Sequence, residues 1–298
     1  EFYNSFNQLN ESADFEITEY EIVFDVNRTL SSKAAIYVDN PNLDKYEFTL
    51  YHGYKVSKIT DENDNDLEFV QDGDYITVSN SENKTLDCIV FYYSGSNPRF
   101  YSNSQGINLP SYIAFYPHSG FHELFSCRHC GFLPLADEKD IKFDVTVNSD
   151  KQVYCNLNET SENHFSGESN GLSLFSGFYE ETESNGITIV YPYPDTTMKK
   201  NPYEQQTIDS LINQYIADGI ITSDIKKILI IPHTNLASDY ERLGIYSDHI
   251  VASQLESIES YYEEVQINPN KIDLLNLIEK YKEQIHHYIS EKDKGIYD

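Results

Sequence analysis

The sequence predicts a chain that is mainly β over its first two thirds and α/β after that. Short runs with an apolar residue at every second position recur between Gly, Asn, Ser and Asp, which is the pattern of half-buried strands. After Pro194, apolar residues follow at helical spacing, and a continuous apolar run comes next. At 298 residues the chain is long enough for two domains. We therefore expect an antiparallel β-sandwich or saddle-like N-terminal domain over residues 1–195 and a smaller helix–strand–helix part over residues 196–298.

The strands of the first part are separated by polar turns. They are predicted at residues 15–26, 34–39, 46–50, 56–60, 67–70, 75–78 and 86–93. Asp72-Gly73 marks one hairpin, because this pair accepts the positive φ that tight turns need. Further alternating runs at residues 141–147, 172–178 and 186–191 are predicted to be strands of an antiparallel sheet.

The second part opens with a predicted helix at residues 198–217, which Asp218-Gly219 is expected to end. Residues 227–233 follow as a predicted buried strand. Residues 250–265 and 272–289 have the apolar spacing of amphipathic helices.

The charge excludes one class of partner. The chain has 21 Lys and Arg against 49 Asp and Glu, a formal net charge of -28, so a phosphate backbone would be repelled and a nucleic-acid partner is excluded. The acidic residues are spread along the whole chain, which favours a solvated surface over a dedicated site.

No membrane segment is predicted within the sequence. It has no run of about 18 apolar residues and no charged-then-apolar leader, so as given it is expected neither to span a membrane nor to carry a signal peptide. A segment lying between two membrane helices would have the same composition.

The order of several segments resembles a known family. A strand at residues 20–26 opens a series that ends in the turn Tyr93-Ser94-Gly95, and an aromatic-Pro segment at residues 115–117 precedes the strand at residues 143–147. A further strand then ends in Val190-Tyr191-Pro192. This order resembles the N-terminal β-domain of M1 zinc aminopeptidases, the gluzincin family that includes aminopeptidase N and leukotriene A4 hydrolase. The resemblance extends into the opening of their catalytic domain and places a domain boundary near residues 194–197.

The zinc motif of that family is missing. The family binds zinc through two histidines four residues apart on one helical face, with a glutamate between them and a second glutamate downstream. No His-Glu-x-x-His occurs in the 298 residues. The resemblance therefore implies a chain without catalytic residues, metal or cofactor, and we expect no aminopeptidase activity from it.

The resemblance also suggests where a peptide would bind. Glu241 matches the family's glutamate that accepts the free amino group of the substrate, although Arg242 beside it would compete for the carboxylate. The family places recognition at a sheet edge, which we expect beside residues 228–231. The candidate ligand-binding residues are thus Glu241, Arg242 and Ile230.

A second cluster has the residue types of a metal site. Cys127-x-x-Cys130, with His122 and His129 nearby, could hold zinc through sulfur and nitrogen ligands. The alternatives are a Cys127–Cys130 disulfide, a Cys88–Cys155 cross-strand bridge, or free thiols in a core. A lone Cys-x-x-Cys favours a bridge or free thiols over a metal.

The resulting functional prediction is a non-catalytic extracytoplasmic domain of a multi-pass membrane protein. M1-like domains occur in bacterial ABC-transporter permeases, and this location would place the chain at the extracellular face of the membrane. The expected partners are flanking transmembrane helices, the transporter's other subunits and a peptide. The alternative is a fragment of an M1 zinc aminopeptidase truncated before its zinc-binding helix.

Overall fold

A computed structural model describes residues 9–81, 84–126, 131–133, 135–193, 203–231, 243–255 and 258. These residues form strands in five sheets and one helix. The fold is therefore mostly β, as the sequence predicts.

The largest sheet has seven strands and contains the strand that opens the chain. Its members are β1 (Ile17–Val26), β2 (Leu30–Val38), β4 (Tyr54–Asp61), β7 (Cys88–Gly95), β13 (Ile141–Asn148), β15 (Asn158–Ser161) and β16 (His164–Ser169). They lie in the order β15-β16-β13-β1-β2-β7-β4. The alternation of β1 turns Tyr20, Ile22 and Phe24 into the core and leaves the intervening residues outside.

A four-stranded sheet packs against this one. It is formed by β3 (Lys45–Thr49), β5 (Glu68–Asp72), β6 (Tyr75–Ser79) and β10 (His118–Ser119), in the order β10-β3-β6-β5. The rings of Phe48 on β3 and Phe91 on β7 meet edge to face with centroids 4.9 Å apart, which joins the two sheets. Together they form the expected sandwich.

Two smaller sheets complete the first part. One contains β8 (Ser102–Asn103), β9 (Gly106–Leu109), β14 (Val153–Cys155) and β17 (Leu174–Ser176), in the order β14-β17-β9-β8. The other is the hairpin of β11 (Phe125–Ser126) and β12 (Gly131–Phe132). Residues 112–116, which lie between β9 and β11 in the chain, are buried in the main core.

The fifth sheet has five strands and carries the helix. Its strands are β18 (Tyr179–Ser184), β19 (Ile187–Pro192), β20 (Lys227–Ile230), β21 (Leu243–Ile245) and β22 (His249–Ala252), in the order β18-β19-β20-β22-β21. Helix α1 (Gln205–Ala217) lies between β19 and β20 in the chain. On β20, Ile228 and Ile230 pack with Ile208 and Ile212 of α1, whereas Leu229 belongs to the main core. The sheet therefore has the helix on one face and the sandwich on the other.

Three alternating runs were expected to form one antiparallel sheet, and this is wrong. β13, β17 and β19 belong to three different sheets, and β13 pairs with β1 in parallel. Alternation determines which face of a strand is buried, but it does not determine which other strand pairs with it. The run at residues 172–178 also gives a strand of only three residues, because Gly177 follows with φ +110 and Phe178 is 81% exposed.

The second part agrees with the prediction at the end of its helix and in the strand that follows, but the helix begins at Gln205 rather than at residue 198. Helix α1 ends at Ala217, with Asp218 as the C-cap and Gly219 at φ +73, as Asp218-Gly219 predicted. Residues 203 and 204 are not helical, and residues 198–202 lie outside the described residues. The buried strand is confirmed as β20.

The predicted helix at residues 250–265 is wrong at its beginning. Residues 250–252 belong to β22, where they are buried between β20 and β21. The predicted helix at residues 272–289 lies outside the described residues. The domain boundary at 195 stays a prediction, and strands from both sides of it pair in the fifth sheet.

Candidate functional site

The candidate ligand-binding residues lie in and before the fifth sheet. Ile230 is on β20, which pairs with β19 on one side and β22 on the other, and its side chain is fully buried. β20 is therefore an interior strand, and the edge expected beside it is formed by β21 instead. Glu241 and Arg242 lie outside the described residues and directly precede β21 in the sequence.

Of the candidate metal ligands, only His122 is described, since Cys127, His129 and Cys130 lie in residues 127–130. His122 Nε2 is 2.8 Å from the carbonyl oxygen of Ser119, and because a carbonyl only accepts, this nitrogen carries the proton. Burial lowers the pKa of His122, so the imidazole is neutral at pH 7. Within the part of the chain that the structure describes, no group of three His, Cys, Asp or Glu could hold a metal ion.

His118, four residues before His122, faces a carboxylate. Its Nδ1 is 3.7 Å from Oδ1 of Asp137, which is too long for a hydrogen bond. Its Nε2 has no partner among the described atoms, and neither has Oδ2 of Asp137. Nε2 of His118 and Oδ2 of Asp137 are therefore buried polar atoms whose hydrogen-bonding capacity is not used within the described part of the fold.

The backbone at Gly120, between His118 and His122, is closely packed against neighbouring segments. Gly120 has φ +80, and a Cβ there would lie 2.6 Å from the carbonyl oxygen of Glu11. The N–H of His122 and the carbonyl of Gly120 both bond to the hydroxyl of Thr49, at 2.9 and 2.8 Å. Glycine is required at position 120 because the chain before β1 passes directly over it.

A different set of polar residues has the connectivity of a Ser–His–Asp triad. Nε2 of His249 is 2.8 Å from Oγ of Ser111 and 3.0 Å from Oγ of Ser173, while its Nδ1 is 2.6 Å from Oδ1 of Asp248. Since a carboxylate only accepts, Nδ1 donates to Asp248, while Nε2 is within hydrogen-bond distance of both serine hydroxyls. The two hydroxyl oxygens are 2.5 Å apart.

Asp248 is the centre of this network. It also accepts hydrogen bonds from Oγ of Ser169 at 2.6 Å and from Nδ2 of Asn156 at 3.0 Å. Burial alone would raise its pKa, but the bond and charge of His249 and the bonds from Ser169 and Asn156 outweigh burial, so the pKa of Asp248 is lowered. Nearby, Lys227 donates to the carbonyl oxygens of Cys155 at 2.7 Å and Leu157 at 2.5 Å, and burial lowers its pKa.

This network is placed for structure rather than for catalysis. A triad acts when its serine hydroxyl meets an acyl group of a substrate. Ser111, Ser173 and His249 are all 0% exposed, so no substrate reaches the hydroxyls in this conformation. The network instead ties the loops that follow β9 and β14 of the smaller four-stranded sheet to β22 of the fifth sheet and the residue before it.

The two described cysteines do not form a disulfide with each other. Cys88 lies on β7 and Cys155 on β14, in different sheets, and both are free and buried. The cross-strand bridge that was one of the alternatives is therefore wrong for this pair. Burial raises the pKa of Cys88 to about 11 and that of Cys155 to about 12.

Sequence reasoning missed the Ser–His–Asp network completely. Ser111 and His249 are 138 positions apart, and Ser111 and Ser173 are 62 apart. The serines lie in two loops and the histidine lies in a strand, so the three residues form no local sequence motif. Only the adjacent pair Asp248-His249 could have drawn attention to the site.

Comparison with solved structures reveals a known fold. Yeast leukotriene A4 hydrolase in complex with bestatin superimposes with a TM-score of 0.50 at 10% identity, covering 84% of this chain. A two-domain M1 zinc metallopeptidase variant bound to L-arginine superimposes with a TM-score of 0.50 at 14% identity, covering 85% of this chain. The M1 zinc metallopeptidase of Deinococcus radiodurans gives 0.47 at 15% identity and 79% coverage. The chain has an M1-like fold, and at these identities the likeness is one of fold alone.

The chain spans only part of these enzymes. It covers 43% of the yeast hydrolase, 66% of the two-domain variant and 60% of the Deinococcus enzyme. No protein-family model matches the sequence, and no curated protein matches it.

Proposed function

We propose that this chain is the β-domain and the first part of the peptidase-like domain of a longer M1-type aminopeptidase, in which it takes part in recognising the substrate peptide. The observation that carries the proposal is the M1-like fold, which extends over 84% of the chain but over only 43% of yeast leukotriene A4 hydrolase. Hydrolysis would then depend on residues outside this chain.

The family's zinc does not fit the residues present. The 298 residues contain no His-Glu-x-x-His, and the described residues include no group suited to a metal ion. No catalytic step is therefore assigned to this chain.

The edge of the fifth sheet is the proposed peptide site. β21 pairs with β22 alone among the described strands, so its other side offers backbone N–H and C=O groups to an extended peptide. The side chain of Ile245 on this strand is 53% exposed. Glu241, two residues before β21, would receive the free amino group of the peptide.

Placement at the extracellular face, within an ABC-transporter permease, stays a proposal that no structural observation favours. Among the described residues no helix is long and apolar enough to cross a membrane.

Hydrolysis and binding test different parts of the proposal. We expect the purified chain, with zinc added, to release no fluorophore from amino-acid aminomethylcoumarin substrates. Zinc-dependent release would show that the chain carries its own catalytic residues and would overturn the assignment.

For binding, a labelled peptide with a free N-terminus is compared with its acetylated form by fluorescence anisotropy. Glu241→Gln is expected to weaken binding of the free form by about tenfold, the loss of a charge-assisted hydrogen bond, and to leave the acetylated form unchanged. Glu183→Gln, on the opposite edge strand β18, is the control and should change neither. Equal binding of both peptides, or an unchanged affinity in Glu241→Gln, would refute the proposed site.

A further inference from the structure

A pocket of about 240 Å³ lies beside the start of β1. It is formed where the chain leading into β1 meets β10 and the segment that leads into β13. Part of its wall is apolar, from Phe15, Ile17 and Ile141. The rest is polar and includes His122 and Asp137.

Asp137 is the unusual member of this wall. Its side chain is 11% exposed, and its buried oxygen Oδ2 has no hydrogen-bond partner among the described atoms. Nδ1 of His118 is 3.7 Å from its other oxygen, Oδ1, which is too long for a hydrogen bond. A carboxylate that is mostly buried without donors is costly, and a donor entering from the pocket would relieve this cost.

The pocket wall favours a positive charge. Its described residues carry three carboxylates, those of Glu16, Asp137 and Glu138, and one ammonium group, that of Lys139. Lys139 Nζ is already 2.7 Å from both oxygens of Glu16, so Lys139 does not serve as the counter-ion of Asp137. The neutral imidazole of His122 adds no positive charge.

We propose that this pocket binds a primary ammonium group carried on a short alkyl chain, with Asp137 as its counter-ion. An ammonium group brings three donors to the carboxylate, and the wall of Phe15, Ile17 and Ile141 receives the alkyl stem. The net charge of -28 attracts such a ligand over a distance. A free alkylamine and a lysine side chain of a protein share this chemistry.

The test uses the full chain and three probes, with binding followed by saturation-transfer NMR at low salt. n-Butylammonium is the charged probe, n-butanol is its neutral match, and Nα-acetyl-lysine methylamide represents a lysine side chain. We expect n-butylammonium to bind and n-butanol to bind at least about tenfold more weakly, since only the first makes a charge-assisted bond. Binding of the lysine derivative would extend the site to protein ligands, whereas binding of n-butylammonium alone would identify a free amine.

Variants distinguish the carboxylate from the general acidity of the chain. Asp137→Asn should weaken n-butylammonium binding by about tenfold or more, while Asp150→Asn, in the exposed turn beyond the other end of β13, should not change it. If Asp137→Asn does not fold, as judged by circular dichroism, the exposed Glu138→Lys decides, since a cation on the wall should abolish binding. Equal binding of n-butylammonium and n-butanol, or unchanged affinity in Asp137→Asn or Glu138→Lys, would overturn the proposal. Because the described wall of the pocket is formed by residues 12–17, 119–122 and 136–141, Glu241→Gln should leave this binding intact.

Discussion

Replacing Asp248 by asparagine should destabilise the fold strongly. The carboxylate accepts from His249 Nδ1 at 2.6 Å, Ser169 Oγ at 2.6 Å and Asn156 Nδ2 at 3.0 Å. Asparagine retains one acceptor oxygen but presents an NH₂ group to a donor, so at least one charge-assisted bond is lost and one buried donor is left unpaired. The first loss is about 1.5–3 kcal/mol and the second about 1–3 kcal/mol. We expect Asp248→Asn to lower the free energy of unfolding by about 3 kcal/mol, the lower part of the combined range.

The assay is urea unfolding followed by far-ultraviolet circular dichroism, because the chain has no tryptophan to report by fluorescence. For a chain of this size, about 3 kcal/mol corresponds to a fall in Tm of about 6–12 °C. The control is Asp224→Asn, an exposed aspartate just before β20, which should stay within about 0.5 kcal/mol of the parent. A loss in Asp248→Asn no larger than that of the control would refute the reasoning.

The effect should also depend on pH. The pKa of Asp248 is lowered in the folded state, so its contribution is complete above the unfolded pKa of about 3.9 and is lost as pH falls through the folded value. The difference between the parent and Asp248→Asn should therefore shrink below about pH 4. A difference that is the same at pH 3 and pH 7 would mean that the carboxylate charge is not its source.

Two further predictions concern the core and its borders. Gly120→Ala should cost about 2 kcal/mol or more in urea unfolding, since φ is +80 and the new Cβ would lie 2.6 Å from the carbonyl oxygen of Glu11. Gly186→Ala, at φ +76 with nothing within 4 Å of its Cβ, should cost only about 1 kcal/mol, and equal losses would show that the close approach is not what matters. In a variant with Cys127 and Cys130 replaced by serine, Cys88 and Cys155 are the remaining thiols. A thiol reagent at pH 8 should react quickly with neither thiol in the folded chain and with both in urea. The reason is that burial raises the pKa of Cys88 to about 11 and that of Cys155 to about 12. A fast-reacting thiol in the folded chain would contradict this burial.

The sequence by itself determined the class of the fold and many of its strands. Alternation located β1 to β7, β13 and β19, and Asp218-Gly219 located the end of α1, because side-chain period and turn chemistry are local properties. The order of segments such as Tyr93-Ser94-Gly95 indicated the M1-like fold, and the likeness to solved M1 enzymes confirms it. The absence of His-Glu-x-x-His is likewise a property of the sequence alone.

Only the tertiary structure decided which strands pair and which polar groups meet. The period of apolar residues along a strand does not specify which strand it pairs with. The parallel pairing of β1 with β13 and the interior position of β20 therefore could not be predicted. Residues 250–252 looked helical because the apolar residues after them have helical spacing, but burial between β20 and β21 makes them a strand. The contacts of His249 with Ser111 and Ser173 join a strand to loops that are distant in the chain. Such contacts depend on how sheets pack, a long-range property that no local pattern of residues encodes.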